Sequence, residues 1–175
     1  MSDAQEQFEQ VFQGCFQAVN RYAARRVAPE AVQDVVSDTF LVAWRRHGEL
    51  DGEPLPWLLG IARRVAANHL RGSTRRDALH ERLRGEHPAG YASEQMSEHD
   101  PQLATALAGL GERDREALML VAWDGLEHHV AAQVMGCSTG AFTVRVHRAK
   151  RRLARVLASE ETDSIEIPQE VRSPL

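Results

Sequence analysis

The sequence predicts an all-α protein in which two small helical domains are joined by a flexible linker. Apolar residues recur at steps of three and four through most of the chain, and no segment alternates as a β-strand would. This periodicity fades between Gly72 and Pro101, where glycine, proline, serine and charged residues replace it. A chain of 175 residues can bury two small cores of this kind. The predicted domains are residues 1–72 and 102–158, with a linker at 73–101 and an acidic flexible tail at 159–175.

The N-terminal domain contains three predicted helices. Each carries one apolar stripe; Pro29 suits the first turn of the second helix, and Pro54 and Pro56 precede the third. A short loop that includes Gly48 and Gly52 separates these two helices. The predicted spans are Phe8 to about Val27, Pro29 to His47, and Trp57 to Leu70.

The C-terminal domain contains four predicted helices, and the last two form a helix-turn-helix. Gly136 allows the backbone to turn between them, and the Ser138 hydroxyl can cap the second. The first helices are too short to be stable alone and must pack on the others. The predicted spans are Leu103 to Leu110, Arg113 to Trp123, Leu126 to Met135, and Ser138 to about Leu157.

The last helix has two contrasting faces. At about 100° per residue, one face is apolar and the other is mostly basic, as in a helix that enters a DNA groove. An exposed Val144 on the basic face suits a thymine methyl group, although a scattered surface valine is an equally good reading. The apolar face contains Phe142, Val146, Ala149, Leu153 and Val156, and the opposite face contains Val144, His147, Arg148, Arg151 and Arg155.

Charge is distributed in blocks that the formal net charge of −4 conceals. Residues 59–84 carry +5 and residues 139–156 carry +6, whereas the segments around them are acidic. Two separate basic elements are typical of a protein that contacts a phosphate backbone twice. The third helix contributes Arg63, Arg64, Asn68 and Arg71 on its polar face.

Several other classes of function lack their sequence signals. The chain has no Gly-rich phosphate loop, no nucleophile turn and no metal-ligand spacing, so we expect no catalysis, no metal and no cofactor. His128 and His129 diverge by about 100° on a helix and cannot share one metal through a single face. Cys15 and Cys137 cannot form a disulfide framework. With no secretory signal and no apolar run of membrane-spanning length, we expect a cytoplasmic protein without membrane insertion.

The two domains together resemble the extracytoplasmic-function group of sigma-70 family RNA polymerase sigma factors. The stretches Asp34–Trp44 and Pro56–Arg71 are similar to region two of that family. Leu103–Leu110, the segment that begins Arg113-Asp-Arg-Glu-Ala-Leu, and the helix-turn-helix resemble region four. The order of the halves and the length of the connection strengthen the match. The resemblance implies a protein that binds core RNA polymerase and directs promoter recognition, strand opening and transcription initiation.

The resemblance also implies roles for particular residues. Asp34 and Asp38 would lie on a helix that docks on the beta-prime clamp helices, while Phe40 and Trp44 would serve packing rather than contact. Region four would meet the beta flap. The loop His47–Leu55 would capture an unstacked base of the non-template strand. The minus-ten element would be faced by Arg64, Asn68 and Arg71. The minus-thirty-five element would be contacted by Ser138, Ala141, Thr143, Val144, Arg145, His147 and Arg148. Arg151 lies on the same basic face and would also contact DNA.

Two interpretations remain open at the level of sequence. Arg145 lies near the apolar edge of its helix, so it either reaches a phosphate or stabilises packing. The whole chain could instead be a stand-alone helix-turn-helix regulator that binds its operator tightly without polymerase, whereas a sigma factor should bind DNA weakly until polymerase holds both units. Control by an anti-sigma factor is common in the resembling family and is a further expectation.

Overall fold

The computed structural model describes residues 3–81 and 100–163, with side chains placed for 4–72 and 100–158. Within these ranges the chain is helical and contains no strand, which confirms the all-α prediction. The helices are α1 (Asp3–Ala24), α2 (Val32–Arg45), α3 (Pro54–Glu81), α4 (Pro101–Ala108), α5 (Glu112–Ala122), α6 (His128–Met135) and α7 (Thr139–Asp163). Short 3-10 turns at Pro29–Ala31 and His47–Glu49 flank α2.

The ends of several helices follow from local chemistry. The Asp100 carboxylate accepts a hydrogen bond from the backbone N–H of Leu103 at 2.9 Å and caps α4. Gly136 ends α6 in the left-handed region, with φ of 65°, where a side chain would be strained. The Ser138 hydroxyl then accepts a hydrogen bond from Ala141 N at 3.3 Å, so the predicted turn and cap are both confirmed.

Two helices are longer than their apolar stripes indicated. Helix α3 continues through Glu81, past the Gly72 boundary where the sequence predicted a linker. One glycine costs a helix interior only about 1 kcal/mol relative to alanine, and no proline follows before Glu81. Helix α7 likewise continues to Asp163, past Leu157. Most of the predicted linker and the tail beyond Asp163 lie outside the described residues.

The two units pack against each other through one continuous apolar core. Helices α1, α2 and α3 form the first unit, and α4, α5 and α6 pack with α7 in the second. Helix α3 lies directly against α6, where a Cβ atom built on Gly60 would be 3.8 Å from the Val134 carbonyl oxygen. The shared core runs from Val19 and Leu58 in the first unit to Leu120 and Phe142 in the second. Among the described helices, none is both long enough and apolar enough to span a lipid bilayer.

Candidate nucleic-acid interface

Helix α7 presents the two faces that its periodicity predicted. Phe142, Val146 and Ala149 are buried, at 0%, 2% and 0% exposure, against the rest of the second unit. The opposite face is open to solvent, and Val144 is 49% exposed. The exposed predicted residues are Ser138, Ala141, Thr143, Val144, His147, Arg148 and Arg151.

The Arg145 side chain forms an ion pair within the protein. Its guanidinium Nη1 lies 3.1 Å from one carboxylate oxygen of Asp114, and Arg152 Nη1 lies 2.8 Å from the other. Asp114 is in the first turn of α5, where the helix dipole also favours a negative charge. Of the two readings of Arg145 that the sequence left open, this geometry supports packing, because the side chain joins α5 to α7.

Asp114→Ala is expected to destabilise the second unit modestly, because Arg145 and Arg152 both lose their partner. The ion pairs are partly exposed, so we expect a loss of up to about 1 kcal/mol, or a melting temperature lower by about 2–4 °C. Thermal unfolding followed by circular dichroism measures it. Glu127→Ala is the matched control, because Glu127 is exposed and its ion pair is with His129, at 3.3 Å. Equal melting temperatures for both variants would mean that Asp114 does not join the helices.

The Thr143 side chain also contacts another helix. His128 Nδ1, at the start of α6, lies 3.0 Å from the Thr143 hydroxyl oxygen. The same imidazole packs edge-on against the Phe142 ring, with 5.5 Å between centroids. His128 therefore holds the two helices of the helix-turn-helix in register. In the described part of the chain, no group of three His, Cys, Asp or Glu side chains could hold a metal ion.

The second basic face lies on α3. Arg64, Asn68 and Arg71 are all exposed, and Arg71 Nη2 donates a hydrogen bond of 2.6 Å to the Asn68 side-chain oxygen. The arginines line a cleft of about 370 Å³ whose opposite wall comes from α5, including Glu112 and Glu116. The structure thus groups the three predicted residues on one surface and places side chains of both charges, including Arg113 and Arg115 as well as the two glutamates, on the opposite wall of the cleft.

Helix α2 exposes both acidic and apolar side chains. Asp34 and Asp38 are exposed, and Asp38 Oδ2 lies 3.3 Å from His69 Nε2 on α3. Leu41 is 46% exposed on the same helix. This surface combines negative charge with accessible apolar area, which suits a protein partner.

The expectation for the two aromatic residues of α2 was half right. Phe40 is buried, as predicted, at 6% exposure. Trp44 is 39% exposed and lies outside the buried core, so the prediction that it packs in the core is wrong. The indole contacts Phe8 edge-on and stacks on His47, 5.0 and 5.2 Å away between centroids, so one face remains in solvent. The stripe of α2 is wider than the surface that α1 and α3 can cover.

An ionic cluster between the two units was not predicted. Arg26, only 5% exposed in the turn after α1, places its guanidinium 3.0 Å from Glu116 and 2.7 Å from Asp124. Tyr22 donates a 2.8 Å hydrogen bond to Glu116, and Arg25 Nη1 lies 2.9 Å from Asp124. These partners are ninety or more positions apart in sequence, so no local pattern could pair them.

The charges in this cluster depend on one another. Burial by itself would lower the pKa of Arg26, but Coulombic interactions with the ionised forms of Tyr22, Glu116 and Asp124 outweigh it and raise that pKa. Burial is the main reason that the pKa of Tyr22 lies well above its ordinary value. Arg26 is therefore charged and Tyr22 neutral, and the cluster has two carboxylates facing two arginines.

The chain has two helical units with exposed basic faces and a helix-turn-helix, and these features define a DNA-binding protein. Comparison with known proteins gives its family. Residues 11–76 match the family Sigma-70 region 2, and residues 101–153 match Sigma-70, region 4. The chain is 31% identical over 167 residues to the RNA polymerase sigma factor CarQ of Myxococcus xanthus, covering 91% of this chain and 94% of CarQ. It is 33% identical over 152 residues to the ECF RNA polymerase sigma factor SigC of Mycobacterium tuberculosis, covering 85% and 80%.

Solved structures agree in fold. A structure of CnrH in complex with the cytosolic domain of CnrY has a TM-score of 0.61 at 24% identity, covering 89% of this chain and 90% of that one. The sigma factor RpoE of Bartonella quintana, in complex with the anti-sigma factor NepR, has a TM-score of 0.59 at 25% identity, covering 87% and 98%.

The chain belongs to the sigma-70 family of RNA polymerase sigma factors, in its extracytoplasmic-function group. It is a factor that binds RNA polymerase and directs it to promoters, and the alternative of a stand-alone regulator is not favoured. Members of this family are non-catalytic transcription initiation factors.

Proposed function

We propose that α3 and α7 read the two elements of a promoter while core polymerase holds the chain. The observation that carries this proposal is the pair of exposed basic faces on separate helices, one in each unit. Helix α3 would face the minus-ten element with Arg64, Asn68 and Arg71. The second face would enter the major groove at the minus-thirty-five element.

The chemistry of α7 suits direct readout. Arg148 and Arg151 are exposed and can hold phosphates or donate two hydrogen bonds to a guanine edge. Val144 offers an apolar surface to a thymine methyl group. Ser138, Ala141, Thr143 and His147 complete the surface that would contact DNA, while Arg145 would act through its bond to Asp114 by fixing the helix.

Polymerase would bind the exposed surface of α2. Asp34 and Asp38 supply negative charge, and Leu41 and Trp44 supply apolar area for the beta-prime clamp helices. The second unit would contact the beta flap. Because the similar RpoE structure contains an anti-sigma factor, we include a partner of that kind for this chain, and we place its action in the cytoplasm.

The test is transcription by the purified chain with bacterial core polymerase on a randomised promoter library. Start sites that appear only with the chain, and that share two elements at one spacing, are the expected result. No chain-dependent starts, together with tight binding of the free chain to one palindromic site, would refute the proposal.

Arg64→Ala is expected to impair promoter opening more than initial binding. Arg64 would contact the minus-ten DNA, and losing one such contact is worth roughly 1–3 kcal/mol, or about tenfold or more in open complex. Permanganate footprinting of unpaired thymines measures opening, and gel retardation of the closed complex measures binding. Arg21→Ala, an exposed arginine on α1, is the matched control. An unchanged footprint for the Arg64 variant would contradict this role.

A further inference from the structure

We propose that the cleft between α3 and α5 binds a nucleoside polyphosphate. The phosphate chain would pair with arginines from both helices, and the base would pack on the apolar side chains that line the same cleft. This site is additional to the promoter-directing function and does not depend on it, because neither polymerase nor promoter DNA takes part in the binding step.

The cleft is strongly basic. Its volume is about 370 Å³, which is in the range of sites for one small molecule. Six arginines and only two glutamates line it, and these side chains come from both units of the protein. Arg26 follows α1, and the other five arginines lie on the two facing helices: Arg63, Arg64 and Arg71 on α3, and Arg113 and Arg115 on α5.

The five arginines of α3 and α5 have no counter-charge among the described residues. None of their guanidinium groups lies within ion-pair distance of a described carboxylate. Arg71 donates instead to the Asn68 side-chain oxygen, at 2.6 Å. Positive charges gathered around one cleft repel one another, so the arrangement has an electrostatic cost that a bound polyanion would remove.

Two carboxylates of α5 that neighbour these arginines in sequence are paired elsewhere. Glu116 lies 3.0 Å from the Arg26 guanidinium and accepts a 2.8 Å hydrogen bond from the Tyr22 hydroxyl. Asp114 pairs with two arginines of α7. Of the carboxylates that line the cleft, only Glu112 is left to offset the five arginines, so a strong positive potential remains for a ligand.

The lining favours a nucleotide over a simple anion. One phosphate monoester carries about two negative charges, so five arginines suit a chain of several phosphates, which guanidinium groups bind through paired hydrogen bonds. The Glu112 carboxylate can accept hydrogen bonds from ribose hydroxyls. Apolar side chains in the same cleft can pack against a base, and they are those of Ala66, Ala67, Leu70 and Met119.

Phosphate groups also occur in the DNA backbone, which Arg64 and Arg71 are proposed to face. The geometry favours a free nucleotide, because arginines of α5 form the second wall of a cleft of small-molecule size. A bound nucleotide would then compete with promoter DNA for these two arginines. This consequence, unlike the site itself, rests on the proposed function.

The test is isothermal titration calorimetry of the full chain, in magnesium-free buffer, with three probes. These are ATP, inorganic tripolyphosphate and a thymidine tetranucleotide, which carries its phosphates as diesters. We expect saturable binding of ATP and of tripolyphosphate, since both present a phosphate chain to the arginines. We expect the tetranucleotide to bind about tenfold more weakly or worse, because its diesters carry less charge and are spread along a longer backbone.

Arg113→Gln with Arg115→Gln removes two charges from the α5 wall without changing a residue assigned to promoter DNA. We expect this double variant to bind ATP about tenfold more weakly or worse. Arg63→Gln removes one charge from the α3 wall and should weaken ATP binding in the same direction. The matched control is Arg21→Gln with Arg45→Gln, which removes two charges from exposed positions that do not line the cleft. Circular dichroism verifies that every variant is folded.

Three outcomes would overturn the inference. Absence of saturable ATP binding would mean that the cleft takes no nucleotide. Equal losses for the control and for the α5 variant would mean that ATP responds only to the net charge of the chain. Equal affinities for ATP and for the tetranucleotide would mean that the cleft is part of a nucleic-acid surface. Calorimetry needs neither polymerase nor promoter, so its failure is distinguishable from failure of the proposed function, which is seen as absent transcripts.

Discussion

Replacing Phe142 with alanine is expected to destabilise the protein by roughly 3–5 kcal/mol. At the growth temperature of the host bacterium, this loss should abolish promoter-directed transcription. Phe142 is fully buried at the centre of the helix-turn-helix, where the His128 ring packs against it. The truncation leaves a cavity between α6 and α7 that the surrounding helices can only partly fill. The expected fall in melting temperature is roughly 6–20 °C, measured by circular dichroism.

Val144→Ala is the control for this prediction. Val144 is two positions away on the same helix but is 49% exposed, so its truncation should change stability by less than about 0.5 kcal/mol. It should instead alter preference at a thymine in the promoter. Similar melting temperatures for the two variants would show that α7 does not pack through the face containing Phe142.

Arg148→Ala is expected to weaken holoenzyme binding to promoter DNA by about tenfold or more, since a bidentate arginine contact is worth about 1–3 kcal/mol. Arg148 lies on the exposed face of α7. Competition of promoter fragments that differ at single base pairs measures whether specificity relaxes at one position. An equal loss of affinity for all fragments, with a weaker dependence of affinity on salt concentration, would indicate a phosphate contact instead.

Arg152→Ala is the matched control, because it removes the same charge from the same helix. Its guanidinium is directed to Asp114, so we expect a smaller loss of affinity than for Arg148→Ala. Equal losses for the two variants would mean that only the total charge of α7 matters and that Arg148 reads no base.

Local signals in the sequence were sufficient for the helices and for the recognition face. The 3.6-residue period separated Phe142 from Val144 correctly, because an amphipathic helix next to an apolar core has one stable orientation. Gly136 and Ser138 fixed the turn because left-handed backbone and side-chain capping are properties of single residues. The ends of α3 and α7 were less predictable, because apolar spacing indicates where a helix packs and not where its hydrogen bonds stop.

The sequence by itself determined the all-α fold, the helix-turn-helix and the two basic faces, since each depends on residues close together in the chain. Only the tertiary structure decided the exposure of Trp44, the bond between Arg145 and Asp114, and the pairing of Arg26 with Glu116 and Asp124. These depend on which surfaces of different helices meet, and charged side chains carry no local mark of their distant partners. Contacts of that kind fix how α5 and α6 lie against the N-terminal unit.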